Sequence, residues 1–143
     1  MTRVDFYSLE ERSGGDRFLL TCRLVERIHA EGLRIFIHVP DREQARRLDR
    51  LLWTFRQQSF LPHGSADEAD PELTPILIGH GGDPGDENQV LINVGLEVPT
   101  FFSSFERLCE PIDQDPVVRD AGRKRYSYYR DRGYPLHHHK IQL

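Results

Sequence analysis

Cysteine is scarce in this 143-residue chain: Cys22 and Cys109 are the only two, and they stand far apart. A zinc site needs about four ligands at characteristic close spacings, and neither cysteine has such company. Both fall in apolar-patterned segments, so buried free thiols are expected, unpaired in a reducing cytoplasm. Long apolar runs are missing too; none approaches the ~20 residues that span a bilayer. The start, Met1-Thr2-Arg3-Val4-Asp5-Phe6-Tyr7, has an acid where a signal peptide would need its apolar core. A cytoplasmic protein with no membrane segment is expected. Lysine and arginine are absent from Gly64 to Asn88, a stretch rich in glycine, proline and acids. Inside it, Gly79-His80-Gly81-Gly82-Asp83-Pro84-Gly85 lacks a following Lys-Ser or Lys-Thr, and its acids would repel phosphate. It reads as a surface loop. No Gly-x-Gly-x-x-Gly follows the first strand candidate, so the dinucleotide fingerprint is missing as well.

What is present begins with size. A chain of this length, 38% hydrophobic and 29% charged, reads as one soluble globular domain over residues 1–143. Its net charge of −4 is unevenly distributed. Residues 117–143 hold seven basic residues against two acids, a net of +5, which leaves −9 for the rest. An acidic whole disfavours wrapping nucleic acid, whereas a local basic patch suits an acidic partner.

Val4–Leu9 reads as a strand. Asp16 can cap a helix running to about Ala30, closed by Gly32, with Leu20, Leu24, Val25 and Ile28 as its apolar stripe. Leu33–Val39 is a buried strand ending at Pro40. Asp41 with Gln44 makes a start like a capping box for a second helix reaching about Phe55. Pro75–Gly79 is the one strand expected within the acidic stretch, and Val90–Val94 is another. Ser103–Leu108 suggests a short helix. Asp115-Pro116 opens a last helix, about 116–132, that Gly133 closes, and residues 134–143 read as a solvent-exposed tail. His137-His138-His139 in that tail could hold a metal only transiently. Strands alternating with helices predict an α/β fold around a mainly parallel sheet.

The helices carry the most informative pattern. At about 100° per residue, Ala45, Leu48, Leu51, Leu52 and Phe55 of the second helix share one face. Trp53, the only tryptophan, points about 140° away from them, beside Arg46, Asp49 and Arg50. In the last helix Val117, Val118, Ala121, Tyr128 and Tyr129 share a side, while Tyr126 clusters with Arg119, Arg123 and Arg130. An aromatic among arginines offers apolar area beside forked hydrogen-bond donors, which suits an acidic peptide with an aromatic side chain or a terminal carboxylate. The same angles also describe a tryptophan packed under a loop and a merely solvated arginine face.

These residues also carry a resemblance. Leu48-Asp49-Arg50-Leu51-Leu52-Trp53 followed by Ser59-Phe60-Leu61-Pro62-His63, the Phe6-Tyr7 strand, Val90-Leu91-Ile92-Asn93 with Phe101 and Phe105, and Arg123-Lys124-Arg125-Tyr126 with Tyr129-Arg130 occur in one order. Together they resemble the chi subunit family of bacterial DNA polymerase III over the whole domain. The resemblance implies a Rossmann-like three-layer α/β fold, with helices flanking the sheet, no enzymatic activity and no cofactor. It implies two partners: the psi subunit, which leads to the clamp loader, and the acidic C-terminal tail of single-stranded-DNA-binding protein. DNA would be engaged only indirectly. Trp53, Arg119, Arg123 and Tyr126 match tail-binding positions, and Phe60 and Ile112 match positions on the psi surface. The family has a lysine after that tyrosine, where Ser127 stands here; Arg130 or Lys124 is expected to compensate. No Ser/His/Asp or Cys/His catalytic set assembles from the sequence; His29, His38, His63 and His80 read as packing or loop residues. Two other readings remain in play: a small Rossmann-like nucleotide-binding protein or enzyme, and direct single-stranded DNA binding by the Tyr126 helix.

Overall fold

The structure, a computed structural model, describes residues 1–143. Strand β1 (Arg3–Leu9) leads to helix α1 (Arg17–Ala30), β2 (Ile35–Val39), α2 (Arg42–Thr54), β3 (His63–Ser65) and β4 (Ile76–His80). Then follow β5 (Val90–Asn93), a 3-10 turn (Phe102–Ser104), β6 (Arg107–Ile112), α3 (Pro116–Asp131) and β7 (Leu136–Ile141). The seven strands form one sheet in the order β3-β4-β2-β5-β6-β1-β7. Every pairing is parallel, so the sheet is parallel throughout.

Strand alternation divides the core into two layers. Tyr7, Leu9, Ile35, Ile37, Val39, Ile76, Ile78, Val90, Ile92 and Cys109 pack with α1 and α2 on one face. Val4, Phe6, Phe36, Leu77, Leu91, Leu108 and Ile112 pack on the other with Val118 and Tyr129 of α3 and with Phe102 and Phe105. Central strands covered on both sides read as nearly continuous apolar runs, which is why β2 runs Ile-Phe-Ile without alternation before the half-buried His38 and then Val39.

The helices start where side chains satisfy their free N–H groups. Asp16 accepts from the backbone N–H of Phe18 and Leu19, both at 3.0 Å. Asp41 accepts from the Gln44 backbone at 2.8 Å and from its side chain at 3.1 Å. Asp115 accepts from Val117 at 2.9 Å, with Pro116 in the first turn where no N–H is needed. Gly133, at φ +80°, ends α3 in a conformation that side chains resist.

Four sequence expectations need correction. Ser103–Leu108 is no helix; the helical turn stops at Ser104, and Arg107–Ile112 is strand β6. Arg107, Glu110 and Pro111 disguised it. Glu110 is fully buried against partners from elsewhere, and Pro111 lies past Cys109, where the β5 ladder has ended and β1 is the remaining neighbour. The acidic stretch holds part of β3 besides β4. Residues 136–141 are a paired strand, β7, running beside β1 from Val4–Leu136 to Leu9–Ile141. An edge strand with one half-covered face can be polar, and polarity made it look like a tail. Finally, the buried stripe of α3 is Val118, Gly122, Arg125 and Tyr129, while Val117 is 61% exposed.

An arginine belongs in that stripe because Glu110 lies beneath it. Arg125 Nε sits 3.2 Å from both Glu110 oxygens, and its Nη1 donates to the Leu96 carbonyl at 2.6 Å. Tyr129 donates to Glu110 at 2.6 Å, and Asn93 donates at 3.1 and 3.2 Å. Burial pushes the Glu110 carboxyl up, against the pull of Arg125, Tyr129 and Asn93. This network clamps α3 onto β6 and β5.

Candidate functional site

α3 lies over β6 but leaves the outer strands β1 and β7 partly uncovered, and a cleft of about 870 Å³ opens there. Its apolar floor comes from Phe6, Ile112 and Tyr126. The Tyr126 ring meets Phe6 edge-on, centroids 5.2 Å apart. Ile112 tucks against Gly122, where a Cβ would come within 2.8 Å of its Cδ1. A glycine in mid-helix is tolerated because α3 must approach β6 this closely. Arg119 and Arg123 stand on the α3 rim, Ser8 and His138 beside the floor, and Glu10, Glu11, Arg12 and Lys140 at the outer edge. Arg119 is steadied by its Nε on the Asp113 carbonyl at 3.3 Å, and the exposed Arg123 by Asp120 at 3.0 Å.

The other candidates lie elsewhere. Trp53 is 50% exposed near the end of α2, and Phe60, 70% exposed, packs on it with centroids 5.7 Å apart. Beneath the indole lies His63, centroid 4.5 Å away, its side chain fully buried. His63 Nδ1 is 2.6 Å from the Leu61 carbonyl and Nε2 is 3.2 Å from that of Asp49, which locks the ring under the tryptophan. The segment after α2 thus folds back to present two neighbouring exposed rings.

The sequence-based grouping therefore changes. α2 covers one face of the sheet toward β4, and α3 covers the opposite face toward β6. Trp53 does not share the Tyr126 cleft; it shares a surface with Phe60. Ile112, expected beside Phe60, floors the Tyr126 cleft instead. Arg130 is exposed, pairs with Asp131 at 3.3 Å and does not line the cleft. Arg125, within the basic run, is buried against Glu110. Sequence reasoning missed Phe6, Ser8, His138 and Lys140. Leu136-His137-His138-His139-Lys140-Ile141 puts four polar residues between its apolar ends, so no period of two marked the strand.

Elsewhere the chemistry is structural. Successive histidines of β7 turn to opposite faces: His138 Nε2 lies 2.9 Å from Ser8 Oγ, and His139 Nε2 lies 3.0 Å from Asp5 Oδ1. No three His, Cys, Asp or Glu side chains converge as metal ligands. Burial pushes both thiols, Cys22 and Cys109, up to about 12, far from the reactive thiolate range. A hollow of about 600 Å³ at the C-terminal ends of β2 and β4, where Rossmann-like folds bind nucleotides, is lined by His38, Gly81, Gly82, Asp83 and Phe101. It has no lysine or arginine in its lining. Burial pushes His38 down, toward its neutral form. A phosphate would meet Asp83 there and no permanent cation.

Fold and surfaces together define a Rossmann-like α/β protein whose open features are a basic, aromatic-floored cleft and a separate pair of exposed rings. The profile of the family described as DNA polymerase III chi subunit, HolC, matches residues 1–137. The chain belongs to that DNA polymerase III chi subunit family. It is 39% identical over 141 residues to the DNA polymerase III subunit chi of Pseudomonas aeruginosa, covering 99% of this chain and 98% of that one. It is 30% identical over 134 residues to the Haemophilus influenzae subunit chi, covering 93% of each. Among solved structures it resembles one described as Mss116p DEAD-box helicase domain 2 bound to an RNA duplex, at a TM-score of 0.59 and 10% identity. That likeness covers 98% of this chain and 64% of the other, under two thirds of its length, and concerns the fold alone.

Proposed function

We propose that this chain is a non-catalytic adaptor of the DNA polymerase III holoenzyme. In this reading the Tyr126 cleft holds the acidic C-terminal tail of single-stranded-DNA-binding protein, and the Trp53–Phe60 surface engages the psi subunit. Polymerase activity belongs to the holoenzyme. The adaptor keeps the clamp loader on the coated lagging strand at replication forks.

One observation carries the tail assignment: Phe6, Ile112 and Tyr126 form an apolar floor directly beside the guanidinium groups of Arg119 and Arg123. A chain end with an aromatic side chain and several carboxylates matches both halves of that surface. Each exposed ion pair contributes about 0.2–1 kcal/mol, so the aromatic contact must supply much of the selectivity. Modest affinity suffices, because many tails on one coated strand raise the effective concentration. The psi assignment for Trp53 and Phe60 rests on two large exposed rings in contact, set apart from the basic cleft.

Fluorescence anisotropy with a labelled tail peptide tests the reading. The wild type binds, Arg123→Ala and Tyr126→Ala weaken binding several-fold, and Trp53→Ala leaves it unchanged. Equal binding by wild type, Arg123→Ala and Tyr126→Ala would end the tail assignment. Binding to a naked oligonucleotide as tight as to the peptide would favour direct DNA binding instead.

A further inference from the structure

The cleft has a second wall, and β7 builds it. Registry sets His138 beside Phe6 and Lys140 beside Ser8. Phe6 packs in the α3-side core, so alternation turns Ser8, His138 and Lys140 to that same side. On the other flank of β1, Ser8 pairs with Ile112. Ile112, Ser8 and Lys140 thus form one row across three strands, about 10 Å from end to end. Ser8 Oγ, 2.9 Å from His138 Nε2, holds that imidazole upright at the cleft.

The cations of the cleft are not equivalent. Arg119 is tied to the Asp113 carbonyl and Arg123 to Asp120. Lys140 and Arg12 are both exposed, and neither pairs with a carboxylate of the protein. Arg12 follows directly on Glu10 and Glu11 in the chain, whereas Lys140 stands on β7 in the row with Ser8 and Ile112. Glu10 and Glu11 stand on the same outer rim, where they would repel an acidic ligand unless a nearby cation offset them. α3 does not supply that cation: Ser127 follows Tyr126, and Lys124 and Arg130 lie outside the cleft.

We infer that Lys140 is a ligand-binding residue of this cleft, the β7 counterpart of Arg119 and Arg123, engaging the carboxylates of a bound acidic peptide. This rests on the tail reading above and adds to it: the C-terminal strand, not a third basic residue of α3, completes the electrostatic surface. His138 supports it by occupying the wall between Lys140 and the apolar floor.

The test is fluorescence anisotropy on the full chain, using an acidic peptide that ends in phenylalanine with a free carboxylate, at low and high salt. Lys140→Gln is expected to weaken binding about two- to fivefold, the range open to an exposed ion pair. Lys140→Glu weakens it further, Lys140→Arg restores it, and the differences shrink as salt screens them. Lys140 is exposed on an edge strand, so these variants keep the fold. If Lys140→Glu binds like the wild type while Arg123→Ala is impaired, the inference is overturned and the tail reading stands. If the wild type itself fails to bind, both fall together.

Discussion

Glu110 and Arg125 meet inside the protein, Nε 3.2 Å from each carboxylate oxygen, with 0% and 3% of their side chains exposed. One sits on a central strand and the other on the helix that presents Tyr126, so a buried ion pair fixes the height and rotation of the basic face.

Breaking that pair strands a charge in a dry interior, which costs far more than an exposed pair is worth. Arg125→Ala is expected to destabilise the fold by about 3–5 kcal/mol. Urea unfolding gives the value directly, through a lower midpoint. A loss under about 1 kcal/mol would mean water reaches Glu110 freely. Arg125 thus differs from Arg123, whose side chain is 75% exposed and whose removal leaves the midpoint within about 0.5 kcal/mol of wild type.

The Trp53–Phe60 surface makes the opposite prediction. Phe60 is 70% exposed, so Phe60→Ala changes stability by less than about 1 kcal/mol. Binding of psi should fall by ten-fold or more, as for a central aromatic anchor worth about 2 kcal/mol. Calorimetric titration of psi into Trp53→Ala and Phe60→Ala measures this. Unimpaired binding by both variants would move the psi surface elsewhere.

Acid sensitivity should trace to Asp5. Burial alone would raise its carboxyl, yet hydrogen bonds from His139 and Arg3 and the charges of Arg107 and Arg3 hold it below its ordinary value. A depressed carboxyl contributes stability that is present above its unfolded value of about 4 and is lost as pH falls through the lower folded value. Urea midpoints should therefore drop below about pH 4 in the wild type and drop less steeply in Asp5→Asn. Identical slopes would show that other carboxylates control the acid limb. Because His139 belongs to β7, this same group ties the C-terminal strand to β1.

Local signals carried much of this protein. Asp16, Asp41 and Asp115 mark helix starts through chemistry that needs only neighbours two or three residues away, and Ile35–Val39 announces a buried strand by composition alone. The angle that set Trp53 apart from Leu48 and Leu52 is likewise a property of one helix. Segments whose character depends on distant partners were illegible. β6 contains a charged residue that is stable there only because Arg125, Tyr129 and Asn93 arrive to satisfy it. β7 is polar because its partner is β1 and its outer edge is water.

The amino-acid order by itself determined an α/β chain with a basic C-terminal segment, residues 117–143, and two helices carrying aromatics off their apolar stripes, because periodicity and capping act within a few residues. The tertiary structure alone decided which of those aromatics are neighbours. Strand order is set by long-range pairing, so it put Trp53 with Phe60 on one face, and Tyr126 with Phe6, Ile112 and Lys140 on the other.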